Sequence, residues 1–210
     1  MYNAIVEYIK KIGYSSKEDL KNLEGTPKRC EKALLNYIWN IERVKKELES
    51  HVKVGFPMPG DPGIMLTDCV TISVCPHHLL PVINQMYVGY MPIDNTKVIG
   101  LSKLVRIAKT LSKRPVLQEL LAIDIAAALY DGKYTNGEKG EKETPFPFFK
   151  SLGSFCIMGS LHTCMCTRGV ESFSLAREAK FKGIFLESMD IKSEVYSLIK
   201  TYPATSFPLR

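Results

Sequence analysis

Tryptophan and histidine are scarce in this chain: one Trp and four His among 210 residues. No apolar run approaches the ~20 residues a membrane-spanning helix needs, so no membrane span is expected. The opening residues, Met1-Tyr2-Asn3-Ala4-Ile5-Val6-Glu7, lack a basic stretch followed by an apolar one, so no secretory leader is expected. Neither sign of charge dominates. The 28 Lys+Arg and 22 Asp+Glu leave a net charge of +6, and the basic residues are interleaved with acids along the chain. That pattern describes a solvated surface and gives no footprint for nucleic acid. There is no internal repeat. With 45% hydrophobic and 24% charged residues, the composition is that of a globular protein and excludes global disorder. The length suits one ordinary domain with a small appendage, large enough to bury a core without disulfides. The expected compartment is cytoplasmic, and the six Cys are expected to be thiols or ligands.

Hydrophobic spacing predicts a helical arm over 1–54. Ile5, Val6, Ile9 and Ile12 recur at helical intervals, and a second helix opens at Thr26-Pro27, with Thr26 as its expected N-cap and an apolar face of Leu34, Leu35, Ile38, Ile41 and Val44. A linker over 55–64 follows, where Gly55 to Gly63 holds three Pro and three Gly. The main domain is placed at 65–200 and a tail at 201–210. Within the domain, Met65 to Val74 and Met86 to Met91 are predicted strands. Leu101 to Leu111 and Val116 to Tyr130 are predicted helices, and Gly132 to Lys150 an exposed charged loop. Ser154 to Thr167, Phe173 to Lys180 and Gly183 to Glu187 are predicted strands, before a closing helix from Ile191 to Lys200. The order is α+β with segregated helices, not alternating βαβ.

Two short segments hold three of the four His and three of the six Cys. They are Cys75-Pro76-His77-His78 and His162-Thr163-Cys164-Met165-Cys166-Thr167-Arg168-Gly169. Cys75 and His78 have C-x-x-H spacing, which lets a turn bring a thiolate and an imidazole onto one ion. On a strand, His162, Cys164 and Cys166 would share a face. Cys75, His78 and Cys164 together would form a three-ligand zinc site with a fourth position open to water, the catalytic arrangement. A closed structural site recruiting Cys166 or His162 is the alternative, and small buried thiols without metal are another. His77 and His162, adjacent to candidate ligands, have the chemistry of acid-base groups. Ser102, Lys103 and Arg106 open a helix where free N–H groups favour anions, so a phosphate site or a solvated basic face is expected there. Arg29 and Lys32 carry the same two readings. Gln118-Glu119 opens the next helix, where a carboxylate suits either the helix dipole or the N–H edge of a guanine.

With these residues laid out, the chain resembles GTP cyclohydrolase I. The family's C-E-H-H-L stands here as Cys75-Pro76-His77-His78-Leu79. Val88-Gly89-Tyr90-Met91-Pro92 and Val98-Ile99-Gly100-Leu101-Ser102-Lys103-Leu104-Val105-Arg106-Ile107 look like its next strand and helix start. Arg114-Pro115-Val116-Leu117-Gln118-Glu119-Leu120 is similar to its R-P-x-x-Q-E-x-L, His162 to Gly169 to its H-x-C-x-x-x-R-G, and Thr26-Pro27-Lys28-Arg29 to its T-P-x-R. The resemblance implies the tunnelling fold, an antiparallel sheet with two helices packed on one face, preceded by a helical arm. It implies one Zn2+ per subunit on Cys75, His78 and Cys164, acid-base histidines His77 and His162, and guanine anchoring by Gln118 and Glu119. Ser102 lies in the matching substrate pocket, and Arg29, Lys32, Lys103, Arg106 and Arg168 match triphosphate-binding positions. The implied partners are GTP as substrate and further copies of the chain, in a homodecamer with active sites between subunits. The implied reaction opens the GTP imidazole ring, releases formate and recloses the product as 7,8-dihydroneopterin triphosphate. The chain departs from the family at Pro76, where the motif has Glu, and along Glu171 to Lys180, where the family has a Ser/Thr-rich strand. These departures keep open a paralogue acting on another purine nucleotide, or a homologue that binds nucleotide without turnover.

Overall fold

Side-chain alternation along three long strands sets the architecture of the computed structural model, which describes residues 2–14, 16, 18, 21, 23–52, 55–57, 60, 63–93, 97–134 and 150–201. Parts of the expected linker (58–59, 61–62), most of the expected charged loop (135–149) and residues 202–210 of the tail lie outside the described residues. The chain forms two compact units, Met1–Trp39 and Asn40–Arg210.

The first unit contains α1 (Tyr2–Lys11) and α2 (Thr26–Tyr37). The helix expected to run from Thr26 past Val44 ends early, because Ile38 is extended at φ −114° and ψ 116°. Thr26 is not the N-cap. Gly25, in the left-handed conformation at φ 73°, holds that place, and the Thr26 hydroxyl instead accepts from Arg29 Nη2 at 2.8 Å.

The second unit opens with α3 (Ile41–Val52). Its start is set by Asn40, whose side-chain oxygen accepts from the Arg43 N–H at 2.9 Å, the usual work of an asparagine N-cap. Two short strands, β1 (Phe56–Pro57) and β4 (Lys97–Val98), pair antiparallel. The main sheet is antiparallel with order β2 (Met65–Val74), β3 (Pro81–Pro92), β5 (Ser151–His162) and β6 (Leu175–Gly183). Two helices, α4 (Leu101–Leu111) and α5 (Gln118–Tyr130), connect β3 to β5 and cover one face. That face is formed by Met86, Val88, Tyr90, Cys156 and Met158, all buried. On the other face Phe155 packs with Phe185 and Val195 of α7 (Ile184–Glu187) and α8 (Met189–Thr201). The α+β expectation of a sheet with two helices on one face, preceded along the chain by N-terminal helices, agrees with this architecture.

Three strand expectations are corrected. β3 begins at Pro81, earlier than expected. β5 stops at His162, and Thr163–Cys166 is a helical turn, α6. The ladder has nothing further to pair with, since His162 lies opposite Val82 and the next residue back, Pro81, has no N–H. The segment 183–187 is likewise not a strand. Gly183 turns the chain at φ 57°, where a Cβ would collide with the Leu152 carbonyl oxygen, and α7 follows.

Buried polar groups tie three strands to one another and the helical layer to the sheet. Asn84 Nδ2 donates to Ser73 Oγ at 3.0 Å, Ser160 Oγ donates to Asn84 Oδ1 at 2.7 Å, and Thr71 Oγ1 meets Ser112 Oγ at 2.8 Å. The helix α5 is buried on most sides, including Asp124 at 1% exposure. Arg114 Nη2 donates to Asp124 Oδ2 at 2.6 Å, Arg114 Nε donates to the Leu111 carbonyl at 3.1 Å, and the guanidinium stacks over the Tyr134 ring at 5.6 Å. A desolvated pair of this kind is costly to split, because the survivor stays buried without its counter-charge. Asp124→Ala is expected to destabilise the protein by about 3–5 kcal/mol, while the double change Arg114→Met with Asp124→Leu costs less. Urea unfolding of the two variants checks this.

His51 packs between α3 and α4, its Nε2 3.3 Å from Thr110 Oγ1. Burial, and then Lys103, depress its pKa below the ordinary 6.5, Glu47 opposes them, and Arg106 adds to the depression. A base depressed on folding contributes stability above its unfolded pKa and loses it as pH falls below about 6.5. The urea midpoint is therefore expected to fall less between pH 7.5 and 5.5 in His51→Gln than in the unsubstituted protein.

Candidate active site

Cys75 ends the β2 strand's course and opens the six-residue hairpin loop 75–80 that leads into β3. The loop is closed by the Cys75 N–H donating to the Leu80 carbonyl at 3.0 Å and the Leu79 N–H donating to the Cys75 carbonyl at 2.9 Å. Neither bond uses a donor at position 76, so proline fits there without leaving a partner unsatisfied. Leu79 takes φ 53°, a left-handed conformation that costs a non-glycine residue roughly 1–2 kcal/mol. This strained turn brings both His77 and His78 back toward Cys75. Cys75 Sγ lies 3.5 Å from His78 Nδ1 and 3.9 Å from His77 Nδ1.

The turn α6 supplies the second thiol. Thr163 Oγ1 donates to the Pro81 carbonyl at 2.6 Å, which ties α6 to the start of β3 and places Cys164 beside Cys75 and Val82. Ligand atoms of Cys75, His78 and Cys164 all lie within 4.8 Å of one another. Ligands on a tetrahedral ion with bonds of about 2.0–2.3 Å sit about 3.5–3.8 Å apart, so a small closing movement suffices for this group to hold a metal. Two sulfurs and an imidazole nitrogen are the donor set of zinc among common divalent ions. Burial, and then the neighbouring Cys75 thiol, push the Cys164 thiol pKa up. A cation between the two sulfurs would relieve that pressure.

Cys166 is not part of the group. The expectation that His162, Cys164 and Cys166 share a strand face fails because α6 is helical, and Cys166 Sγ donates to the His162 carbonyl at 3.3 Å. His162 also stays outside the ligand set. Its Nε2 lies 2.9 Å from Gln118 Oε1, and burial holds its pKa below the ordinary 6.5 against an upward pull from Glu119. Gln118 is buried and Glu119 exposed, at the first turn of α5. The segment before them is locked to the Cys75 end of the sheet, because the Val116 N–H donates to the Val74 carbonyl at 3.2 Å. Arg168 joins the site as well, its Nη1 in contact with His78 Nε2.

A family model for GTP cyclohydrolase I matches residues 1–138. A GTP cyclohydrolase 1 from Coxiella burnetii is 33% identical over 204 residues, covering 95% of this chain and 100% of the relative. The chain belongs to the GTP cyclohydrolase I family. A GTP cyclohydrolase 1 from Clostridium kluyveri is 28% identical over 199 residues, covering 94% of this chain and 95% of the relative. Among solved structures, the archaeosine synthase QueF-Like in its apo form aligns with 59% of this chain and 97% of its own, at 14% identity and a TM-score of 0.36. Among the described residues, no helix is long and apolar enough to cross a membrane.

Of the residues singled out from the sequence of this GTP cyclohydrolase I family member, one end of the sheet gathers Cys75, His77, His78, Gln118, Glu119, His162, Cys164 and Arg168. Ser102, Lys103 and Arg106 are elsewhere. They lie in the first half of α4, which begins next to Ile99, and the Ile99 N–H donates to the Tyr90 hydroxyl at 2.9 Å. Tyr90 pairs with Met65, at the far end of the ten-residue strand from Cys75. At ~3.3 Å per residue that strand puts the start of α4 roughly 30 Å from Cys75, and α4 runs back along it at ~1.5 Å per residue until Ser112 meets Thr71, which leaves Ser102, Lys103 and Arg106 roughly 20–30 Å away. Arg29 and Lys32 are exposed on α2, in the other unit. The Gln118–His162 bond, the Arg168–His78 contact and the Leu79 strain carry no local sequence signal. Cys166→Ser is expected to retain bound zinc at the level of the unsubstituted protein, whereas Cys75→Ser and Cys164→Ser lose most of it. Metal analysis after gel filtration measures the difference.

Proposed function

We propose that this chain is a zinc-dependent GTP cyclohydrolase I that converts GTP and water to formate and 7,8-dihydroneopterin triphosphate. The observation that carries the proposal is the convergence of Cys75, His78 and Cys164 within 4.8 Å, beside His77 and His162. Zinc on those three ligands would supply a Lewis acid and lower the pKa of water at the open position. The remaining work belongs to side chains. Glu119, exposed at the first turn of α5, accepts from the N1–H and exocyclic amino group of guanine, two parallel donors that match a carboxylate. His77, exposed beside Cys75, and His162, seated on Gln118, move protons to and from the purine nitrogens and the ribose as the imidazole ring opens at C8 and formate leaves.

The triphosphate takes Arg168 from this end of the sheet. Ser102, Lys103 and Arg106 stand roughly 20–30 Å away along the strand, beyond the reach of one triphosphate held at this end, so they serve a different copy's metal centre. That separation supports a homo-oligomer, a decamer on the family pattern, with each site completed by a neighbouring subunit. Arg29 and Lys32 are proposed to add to the same cluster of cations. The proposed compartment is the cytoplasm.

Zinc-loaded protein incubated with GTP is expected to release one formate for each fluorescent pterin formed. His162→Ala is expected to keep its zinc and lose at least ~100-fold in turnover. Zinc at one per subunit with no formate from GTP would overturn the proposal. Tight GTP binding without consumption would mark a non-catalytic homologue, and turnover confined to another purine nucleotide would mark a paralogue.

A further inference from the structure

Gln118 is buried at 8% exposure, and its side chain is engaged at both ends. Its Nε2 donates to the Ala176 carbonyl on β6 at 3.2 Å. A backbone carbonyl accepts and cannot donate, so the amide nitrogen must face Ala176 and the amide oxygen must face the other way. The oxygen lies 2.9 Å from His162 Nε2. An amide oxygen also only accepts, so His162 Nε2 must carry the hydrogen. In the neutral imidazole the lone pair is then on Nδ1.

We infer that Gln118 is a positioning residue that fixes the tautomer of His162, leaving Nδ1 as the nitrogen that takes a proton from substrate. The inference deepens the cyclohydrolase reading and rests on it for the identity of the substrate. It separates two neighbours of similar chemistry: Glu119 faces the guanine, while the Gln118 side chain acts through His162. It also gives a role to β6. Ala176 is the second residue of that strand and lies within Glu171 to Lys180, the segment that departs from the family, so the path of that segment sets the orientation of the amide. Substitutions there that keep the strand paired would act on His162 without touching substrate. The logic is that of other imidazoles whose working nitrogen is decided by what the opposite nitrogen bonds.

The test uses zinc-loaded protein labelled with 15N-histidine. The chain has four His, so few ring signals need assignment, and His162→Gln identifies the relevant pair by its loss. At pH 8 to 9 the solid-state spectrum is expected to show His162 protonated at Nε2 and unprotonated at Nδ1. In Gln118→Leu the two tautomers should mix or reverse. Gln118→Glu keeps an acceptor, so Nε2 should stay protonated. In turnover, Gln118→Leu is expected to lose about 10–100-fold in kcat with KM changed much less, and Gln118→Glu to retain more. A hydrogen on His162 Nδ1 in the unsubstituted protein overturns the inference. So does an unchanged tautomer in Gln118→Leu, or an effect of that variant on KM alone. The spectrum decides the matter even if GTP is not the substrate, which keeps failure of this inference distinct from failure of the cyclohydrolase reading.

Discussion

The register of β3 against its two neighbours is the constraint on which the rest of the site depends. Val74 sits opposite Pro81 and Val82 opposite His162, so β2 and β5 finish at the same end of the sheet. A slip of one residue would turn every side chain to the opposite face and separate the two segments that carry the thiols and imidazoles. Pro81 is well placed to enforce the stop. It offers no N–H to extend pairing with β5, and its carbonyl receives the Thr163 hydroxyl that starts α6. Cys75 and Cys164 therefore meet because two strands end together, not because either segment is itself a metal-binding loop.

Helices are brought to that end by polar contacts inside the core. Ser160, Asn84 and Ser73 bridge three strands, and Thr71 bonds Ser112 at the C-terminal end of α4. Arg114 and Asp124 hold the turn from α4 into α5, and the Val116–Val74 bond anchors the residues just before Gln118. A fully satisfied buried network is rigid in a way apolar packing alone is not. Its position is consistent with a job of orientation: on the proposed reading, it sets where the guanine carboxylate and His162 stand relative to the metal ligands.

The local half of this arrangement was legible in the sequence. C-x-x-H spacing in Cys75 to His78 pointed to a turn that returns an imidazole to a thiol, and the periodicity of Leu101 to Leu111 gave its helix outright. Other features were misread where a tertiary partner decides the conformation. His162 to Cys166 alternates like a strand, yet it becomes a helical turn because the partner strand runs out at Pro81. The break at Ile38 depends on Asn40 capping a new helix, which competes with an unbroken apolar stripe from Leu34 to Val44. Gly183 looks like a strand start, but its positive φ ends β6. The bond from His162 to Gln118 spans 44 positions in sequence and has no periodicity to announce it.

The proposed centre has three protein ligands and an open position, which distinguishes a hydrolytic metal from a structural one. X-ray absorption at the zinc edge of the loaded protein tests that most directly. The account predicts two sulfur neighbours at about 2.3 Å with the remaining neighbours nitrogen or oxygen at about 2.0–2.1 Å. Three sulfurs, or none, would contradict it.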